Sequence, residues 1–184
     1  EDALLINFTI QNGNSEGGGG IYCDNSSPTL MNLNIKDNHS TDDGGALRIS
    51  YTSNPYLSSI NIYNNSADDH AAGIMILDGS NPIIKSIKIY NNNSANEGSG
   101  ITIHNSQAII DSLEITNNTS DFGAGIYIAN QEYPYNDNLV EIKNTLIENN
   151  QSQQSGGGIY LRGGNLTIAN SQIKNNSSGH DGGG

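Results

Sequence analysis

The stretch GGGGIYCDNSSPTLMNLNIKDN, residues 17–38, is followed at residues 44–65 by GGALRISYTSNPYLSSINIYNN. The second stretch keeps the glycines, the proline and the closing isoleucine with its pair of polar residues. That isoleucine recurs along the whole chain at intervals of about 26 residues with one longer interval, and a period this steady predicts a solenoid of stacked coils. The recurring residues are Ile10, Ile35, Ile62, Ile89, Ile115, Ile147 and Ile173.

Apolar residues alternate with polar or aromatic residues inside each repeat, a pattern typical of strands and not of helices. Ile21 and Cys23 would point to one side of a strand, and Tyr22 to the other. The pattern predicts three short strands per coil and no helix. The fold class is therefore all-β, a single-stranded parallel β-helix of about seven coils with about 25–27 residues in each. Residues 1–184 would form one solenoid.

A paired amide follows each closing isoleucine, and in a stacked solenoid its second residue recurs at the same corner of successive coils. Coils spaced by about 4.8 Å bring such side chains within hydrogen-bonding distance of one another. Asparagine also tolerates the left-handed backbone conformation that a sharp corner needs. The sequence therefore predicts an asparagine ladder. Its members are Asn38, Asn65, Asn92, Asn118, Asn150 and Asn176.

Two departures from the period carry information. The longest interval, between Ile115 and Ile147, contains the insertion NQEYPYNDN at residues 130–138, which should loop out between two strands. The chain closes on HDGGG, which resembles the opening of another coil, and neither end shows the polar cap of a complete repeat protein. We therefore expect a segment of a longer repeat protein, with neighbouring coils or subunits covering both ends.

Composition excludes several classes of protein. A net charge of −12 with only seven Lys and Arg residues argues against a nucleic-acid partner. The chain has no apolar stretch approaching the ~20 residues of a membrane span. Its single cysteine, Cys23, cannot form an internal disulfide or a cysteine-based metal site.

The motifs GGAL at residues 44–47, GGGI at 156–159 and IYNNSA at 62–67 resemble the repeats of chlamydial polymorphic outer membrane proteins. More broadly, the chain is similar to right-handed β-helix passenger and surface proteins of bacteria, in the pectin-lyase-like superfamily. The resemblance covers every coil. It implies a right-handed helix, secretion to the bacterial surface or the extracellular space, and adhesion.

The outward face of the first strand contains the best candidates for ligand binding. Aromatic faces pack on sugar rings, and the tyrosine hydroxyl adds a hydrogen bond. The alternative is that tyrosine simply suits an exposed strand position. The candidates are Tyr22, Arg48, Tyr127 and Tyr160, together with Tyr133 and Tyr135 of the insertion.

Acidic residues precede the glycines of most coils, and the period predicts that they share one column. Carboxylates about 5 Å apart would repel one another unless a cation bridged them, and Ca²⁺ accepts several oxygen ligands. The alternative is a solvated acidic edge without a cofactor, which deters pairing between sheets. The candidate calcium ligands are Asp42, Asp43, Asp68, Asp69, Glu97 and Asp121.

We predict no catalytic residues in this segment, because no carboxylate pair on the outer face has the separation of about 5–9.5 Å that glycoside hydrolysis needs. The leading hypothesis is a non-catalytic stalk or adhesive segment, with weak binding of glycans or surface proteins through the tyrosines. One alternative is a filament subunit that stacks head to tail. Another is part of a polysaccharide lyase or hydrolase whose active coils lie outside this sequence.

Overall fold

A computed structural model describes residues 3–130 and 139–184. This part of the chain forms parallel strands joined by short corners and contains no helix that could cross a membrane. Each coil passes through three sheets in the same order, and each strand pairs with the strands one coil away. The predicted parallel β-helix is thereby confirmed. The described residues make about six turns, since the first sheet begins only at Ile21 whereas the second begins at Leu4.

The first sheet is formed by the alternating segments that follow the glycines. Ile49 pairs with Cys23 on one side and with Ile76 on the other, and all three side chains are buried. The residues between them form the outward column. The strands of the first sheet are Ile21–Asp24, Leu47–Ser50, Ile74–Ile76, Ile101–His104, Ile126–Ala129 and Ile159–Arg162.

The second sheet contains both later strands predicted for each coil. A residue with positive φ bends it, for example Ser86 at 53° within the continuous strand Ile83–Tyr90. Leu57 and Ile62 point inward on either side of such a bend and are fully buried. The strands are Leu4–Ile6, Thr9–Gln11, Thr29–Met31, Asn34–Lys36, Tyr56–Ser58, Asn61–Tyr63, Ile83–Tyr90, Ala108–Thr116, Leu139–Lys143, Leu146–Glu148, Asn165–Ala169 and Gln172–Lys174.

The third sheet follows the asparagine corner and precedes the glycines. Its segments are polar, HSTDD and QSQQS being two of them, so apolar alternation did not predict strands there. Small inward side chains, such as Ser40 and Ala67, let this sheet approach the core closely. The strands are Asn14–Gly17, His39–Asp43, Ser66–Ala67, Asn93–Ser94, Thr119–Phe122, Gln151–Ser155 and Ser177–Ser178.

The six ladder asparagines occupy one corner between the second and third sheets. Asn65 is representative: its Oδ1 accepts the backbone N–H and the side-chain amide of Asn38, both at 3.0 Å. Its Nδ2 donates to Asn92 Oδ1 at 3.0 Å and to the backbone oxygen of Ile35 at 3.1 Å. The residue just before each ladder asparagine has φ between 54° and 57°. Buried amides are satisfied here because every coil supplies the partners of the next.

Candidate functional site

A cluster of ionisable side chains lies at the junction between the third and first sheets, and its members come from three consecutive coils. We call it the histidine–carboxylate cleft and define it as Asp43, Asp69, His70, Glu97 and His104. Gly44 N donates to the His70 oxygen at 3.0 Å, and Ala71 N donates to the Glu97 oxygen at 2.9 Å. These bonds place Asp43, His70 and Glu97 on successive rungs of one column.

His70 stands at the centre of the cleft. Its Nδ1 lies 2.8 Å from Asp43 Oδ1 and 3.3 Å from Asp69 Oδ2. On the opposite edge of the ring, Nε2 lies 3.4 Å from Glu97 Oε2. The same Glu97 oxygen is 2.9 Å from His104 Nε2. The imidazole is thus enclosed by three carboxylates, and Glu97 connects it to a second imidazole.

The pKa values in the cleft follow from this arrangement. Burial lowers the pKa of His70, but its hydrogen bond to Asp43 and the charges of Asp43, Glu97 and Asp69 outweigh that effect and raise the pKa above the usual value. Burial raises the pKa of Asp43, yet the hydrogen bond and charge of His70 and the charge of Arg48 bring it below the usual value. The cleft therefore favours protonated His70 between ionised carboxylates.

Glu97 is held in place by groups on two further strands. Burial raises its pKa, while hydrogen bonds from His104 and Tyr127 and the charges of both histidines lower it overall. Burial and the same contact to Glu97 raise the pKa of the Tyr127 hydroxyl to about 12. A hollow of about 250 Å³ lies between Glu97, His104 and Tyr127. It is large enough for a few water molecules or a small polar group.

Two of the predicted tyrosines meet beside this hollow. The rings of Tyr127 and Tyr160 are stacked with centroids 5.2 Å apart and planes 7° from parallel. His104 meets Tyr127 edge-on at 5.6 Å, and Phe122 meets Tyr160 edge-on at 5.7 Å. Tyr127 is only 2% exposed, so it is not the open platform that the sequence suggested. Its neighbours cover it, and Tyr160 carries the accessible edge of the stack.

Tyr22 and Arg48 form a second pair, which two intervening coils separate from the tyrosine stack. The guanidinium carbon of Arg48 lies 5.6 Å from the centroid of the Tyr22 ring, which is 46% exposed. Met75 and Thr102 occupy the rungs between this pair and Tyr127. Predicted binding residues thus form two separate patches on one column. Tyr133 and Tyr135 lie outside the described residues.

The acidic residues do not form the single column that was predicted. Asp69 N donates to the Asp42 oxygen, and Asn96 N donates to the Asp69 oxygen, so Asp42 and Asp69 belong to a column beside that of Asp43 and Glu97. Asn93 pairs with Thr119 and Glu97 pairs with Phe122, so the pairing shifts by one residue between these two positions and Asp121 does not lie opposite Glu97. The expectation of one column was wrong because of such irregularities, which the period cannot reveal.

The remaining candidate ligands have other partners. Asp68 lies outside the cleft, with Oδ2 3.6 Å from His39 Nε2. Arg48 contacts Asp42 at 3.6 Å and Asp43 at 3.8 Å. His70 and His104 were not among the predicted site residues. One signal was available for His70, since Asp43, His70 and Glu97 follow one another at the spacing of one coil.

The fold and the cleft define a β-solenoid with a cluster of histidines and carboxylates on its outer surface. The sequence model described as right handed beta helix region matches residues 1–151, and the chain belongs to this family. A second model, described as the Chlamydia polymorphic membrane protein repeat, matches residues 144–162. Neither the curated proteins nor the solved structures contain a match to this chain.

The two matches agree with the coil geometry. Residues 144–162 run from the corner before Leu146–Glu148, through Asn150 and the third sheet, to the end of Ile159–Arg162. The matched repeat therefore covers the part of one coil that contains the ladder corner and the glycine turn. Together the matches indicate a segment of a bacterial surface protein or autotransporter passenger.

Proposed function

We propose that this chain is a non-catalytic structural segment of a bacterial surface protein, a rigid spacer that also binds glycans weakly through Tyr160 and Tyr22. The observation that carries the spacer role is the continuity of the asparagine ladder. Every ladder amide from Asn38 to Asn150 donates to the amide of the next coil, and the neighbouring aliphatic columns are buried. No coil is independent of its neighbours, so the rod resists bending and local opening.

If the chain is a spacer, its function depends on the length of the rod and therefore on the number of coils. Residues 66–92 are one complete coil, because Ser66 pairs with Asn93 across that length. Deleting them joins Asn65 to Asn93 without changing the register. We expect a folded rod shorter by about 4.8 Å, and duplication of the same residues should lengthen it equally.

The matched control removes residues 66–78, half a coil, which shifts inward residues outward and should abolish folding. Small-angle scattering measures the rod lengths, and circular dichroism monitors folding. When the chain is displayed on a cell with a reporter at its outer end, the distance of the reporter from the cell surface should increase with the number of coils. Unfolding of the whole-coil deletion, or a reach independent of coil number, contradicts the spacer proposal.

The glycan-binding part is supported by the accessible edge of the Tyr160 stack and by exposed Tyr22 beside Arg48. A glycan array probed with the intact chain should give weak signals that Tyr160→Ala reduces. Tyr51→Ala is the control, because Tyr51 is 55% exposed but lies outside both patches. Equal signals for the two variants would contradict a role for the stack.

A further inference from the structure

The histidine–carboxylate cleft differs from a solvated acidic edge in two respects. Its carboxylates alternate with imidazoles, and its central groups are shielded from water: the exposed fractions of the side chains are 14% for Asp43, 15% for Glu97 and 22% for His70. Asp68, which belongs to the acidic edge proper, is 64% exposed. Partly buried carboxylates need compensating positive charge. Arg48 supplies part of it, with Nη1 3.8 Å from Asp43 Oδ2, and the remainder is either a proton on imidazole or a metal ion.

Three ligand atoms converge on one point of the cleft. His70 Nδ1, one oxygen of Asp43 and one oxygen of Asp69 all lie within 4.8 Å of one another. The nitrogen is 2.8 Å from Asp43 Oδ1 and 3.3 Å from Asp69 Oδ2. Ligands that surround Zn²⁺ at about 2.0–2.2 Å are themselves separated by roughly 3.3 Å. The three atoms can therefore occupy neighbouring positions around one ion after small side-chain rotations.

The far side of the His70 ring has the support that metal-binding histidines require. Such a histidine usually donates its second N–H to a carboxylate, which fixes the tautomer and orients the ring. Glu97 lies 3.4 Å from His70 Nε2 and is itself held by His104 and Tyr127. These supporting groups lie on the opposite side of the ring from Asp43 and Asp69, so they would not compete for the ion.

We propose that Asp43, Asp69 and His70 bind a first-row divalent cation of the Zn²⁺ class, with Glu97 as the positioning residue for His70. Imidazole nitrogen favours such an ion over Ca²⁺, which prefers oxygen ligands alone. Three protein ligands leave further coordination positions for water or for a polar group of a partner. This inference is independent of the spacer function, because the fold-bearing ladders lie elsewhere.

Calorimetric titration of the tag-free chain with ZnCl₂ at about pH 7 tests the site, since His70 must release its proton to bind metal. We expect one Zn²⁺ per chain and weaker binding of Mn²⁺ and Ca²⁺. His70→Gln and Asp43→Asn should each reduce the affinity at least about 10-fold, and Glu97→Gln by a comparable factor through the orientation of His70. If Asp43→Asn fails to fold, the more exposed Asp69→Asn answers the same question.

His39 and Asp68 supply matched controls, because they form another histidine–aspartate pair at 3.6 Å outside the cleft. His39→Gln and Asp68→Asn should leave the Zn²⁺ affinity unchanged. Nitrogen-15 spectra of the histidine rings should show a shift of the His70 Nδ1 resonance in the native chain. The proposal is overturned by an absence of stoichiometric binding, by full affinity in His70→Gln, by equal losses in the control variants, or by tighter binding of Ca²⁺ than of Zn²⁺.

Discussion

Asn92 Nδ2 donates to Asn118 Oδ1 at 3.0 Å, and the backbone N–H of Asn92 donates to the same oxygen at 3.0 Å. One buried carbonyl therefore accepts two hydrogen bonds from the preceding coil. Asn92 Oδ1 does the same for Asn65, with distances of 2.9 and 3.0 Å. Each ladder amide is satisfied only while its neighbours remain in place.

Asn92→Ala removes the acceptor of two donors of Asn65 and one of the two donors to Asn118 Oδ1. We expect the free energy of unfolding to fall by about 3 kcal/mol or more, since each buried polar group left unsatisfied costs about 1–3 kcal/mol. Asn93→Ala is the control, because Asn93 is the exposed next residue and its loss should cost less than about 0.5 kcal/mol. Urea denaturation measures the free energy of unfolding of both variants. Similar decreases for Asn92→Ala and Asn93→Ala would contradict a stabilising role of the ladder.

Ala71 adopts a φ of 52° at the position where neighbouring coils have Gly44 and Gly98. The left-handed conformation costs a residue with a Cβ atom about 1–2 kcal/mol. Ala71→Gly should therefore stabilise the chain by about 1 kcal/mol, after the extra freedom of glycine in the unfolded state is subtracted. Calorimetry should show a higher melting temperature.

The adjacent Ala72 is the control for that substitution, because it is also buried but does not have positive φ. Ala72→Gly should destabilise the chain by about 0.5–1 kcal/mol. Opposite signs at two consecutive alanines would identify backbone conformation as the cause. A lower melting temperature for Ala71→Gly would contradict the assignment of strain to that residue.

The raised pKa of His70 predicts how the stability of the EDTA-treated chain depends on pH. The folded chain holds this proton more tightly than the unfolded chain, whose histidines titrate near about 6.5. The stabilisation is therefore complete below about pH 6.5 and is lost as the pH rises through the raised pKa of His70. Urea denaturation across this range should show that loss, whereas His70→Gln should lack it. A loss that persists in His70→Gln would exclude this histidine as its source.

Burial raises the pKa of the Cys23 thiol to about 11, and its side chain is 1% exposed. The folded chain at pH 8 should react with a thiol reagent at least about 100-fold more slowly than the denatured chain, because little thiolate forms and the sulfur is inaccessible. Absorbance of the released product measures both rates. Fast labelling under folded conditions would mean that the first sheet opens readily near Cys23.

The coil architecture could be predicted because each ladder repeats one residue type at one spacing. Leu30, Leu57 and Ile84 each precede the closing isoleucine of their coil at the same offset, and all three are buried in register. The third sheet escaped prediction, since its segments such as QSQQS lack apolar alternation. Paired strands there are specified by the neighbouring sheets and by the asparagine corner.

The cleft was only partly predictable. Asp43 and Glu97 were identified as acidic candidates, but His70 was not among the predicted site residues, although it lies one coil away from each of them. The pairing shifts by one residue between Asn93–Thr119 and Glu97–Phe122, which leaves Asp121 outside the column, and the repeat period does not reveal a local shift of this kind. The burial of Tyr127 was also not predictable, because it depends on contacts with side chains of the neighbouring coils.

The asparagine ladder also gives the solenoid an electrical direction. From Asn38 to Asn150 every side-chain amide donates to the amide of the next higher-numbered coil, so the amide dipoles along the row add. Dipoles aligned in this way polarise one another and strengthen each bond in the row. A coil can extend the row only in the same orientation, because a reversed coil would oppose donor to donor. The corner amides thus give the rod a dipole with a defined direction along its axis, besides stabilising the stack of coils.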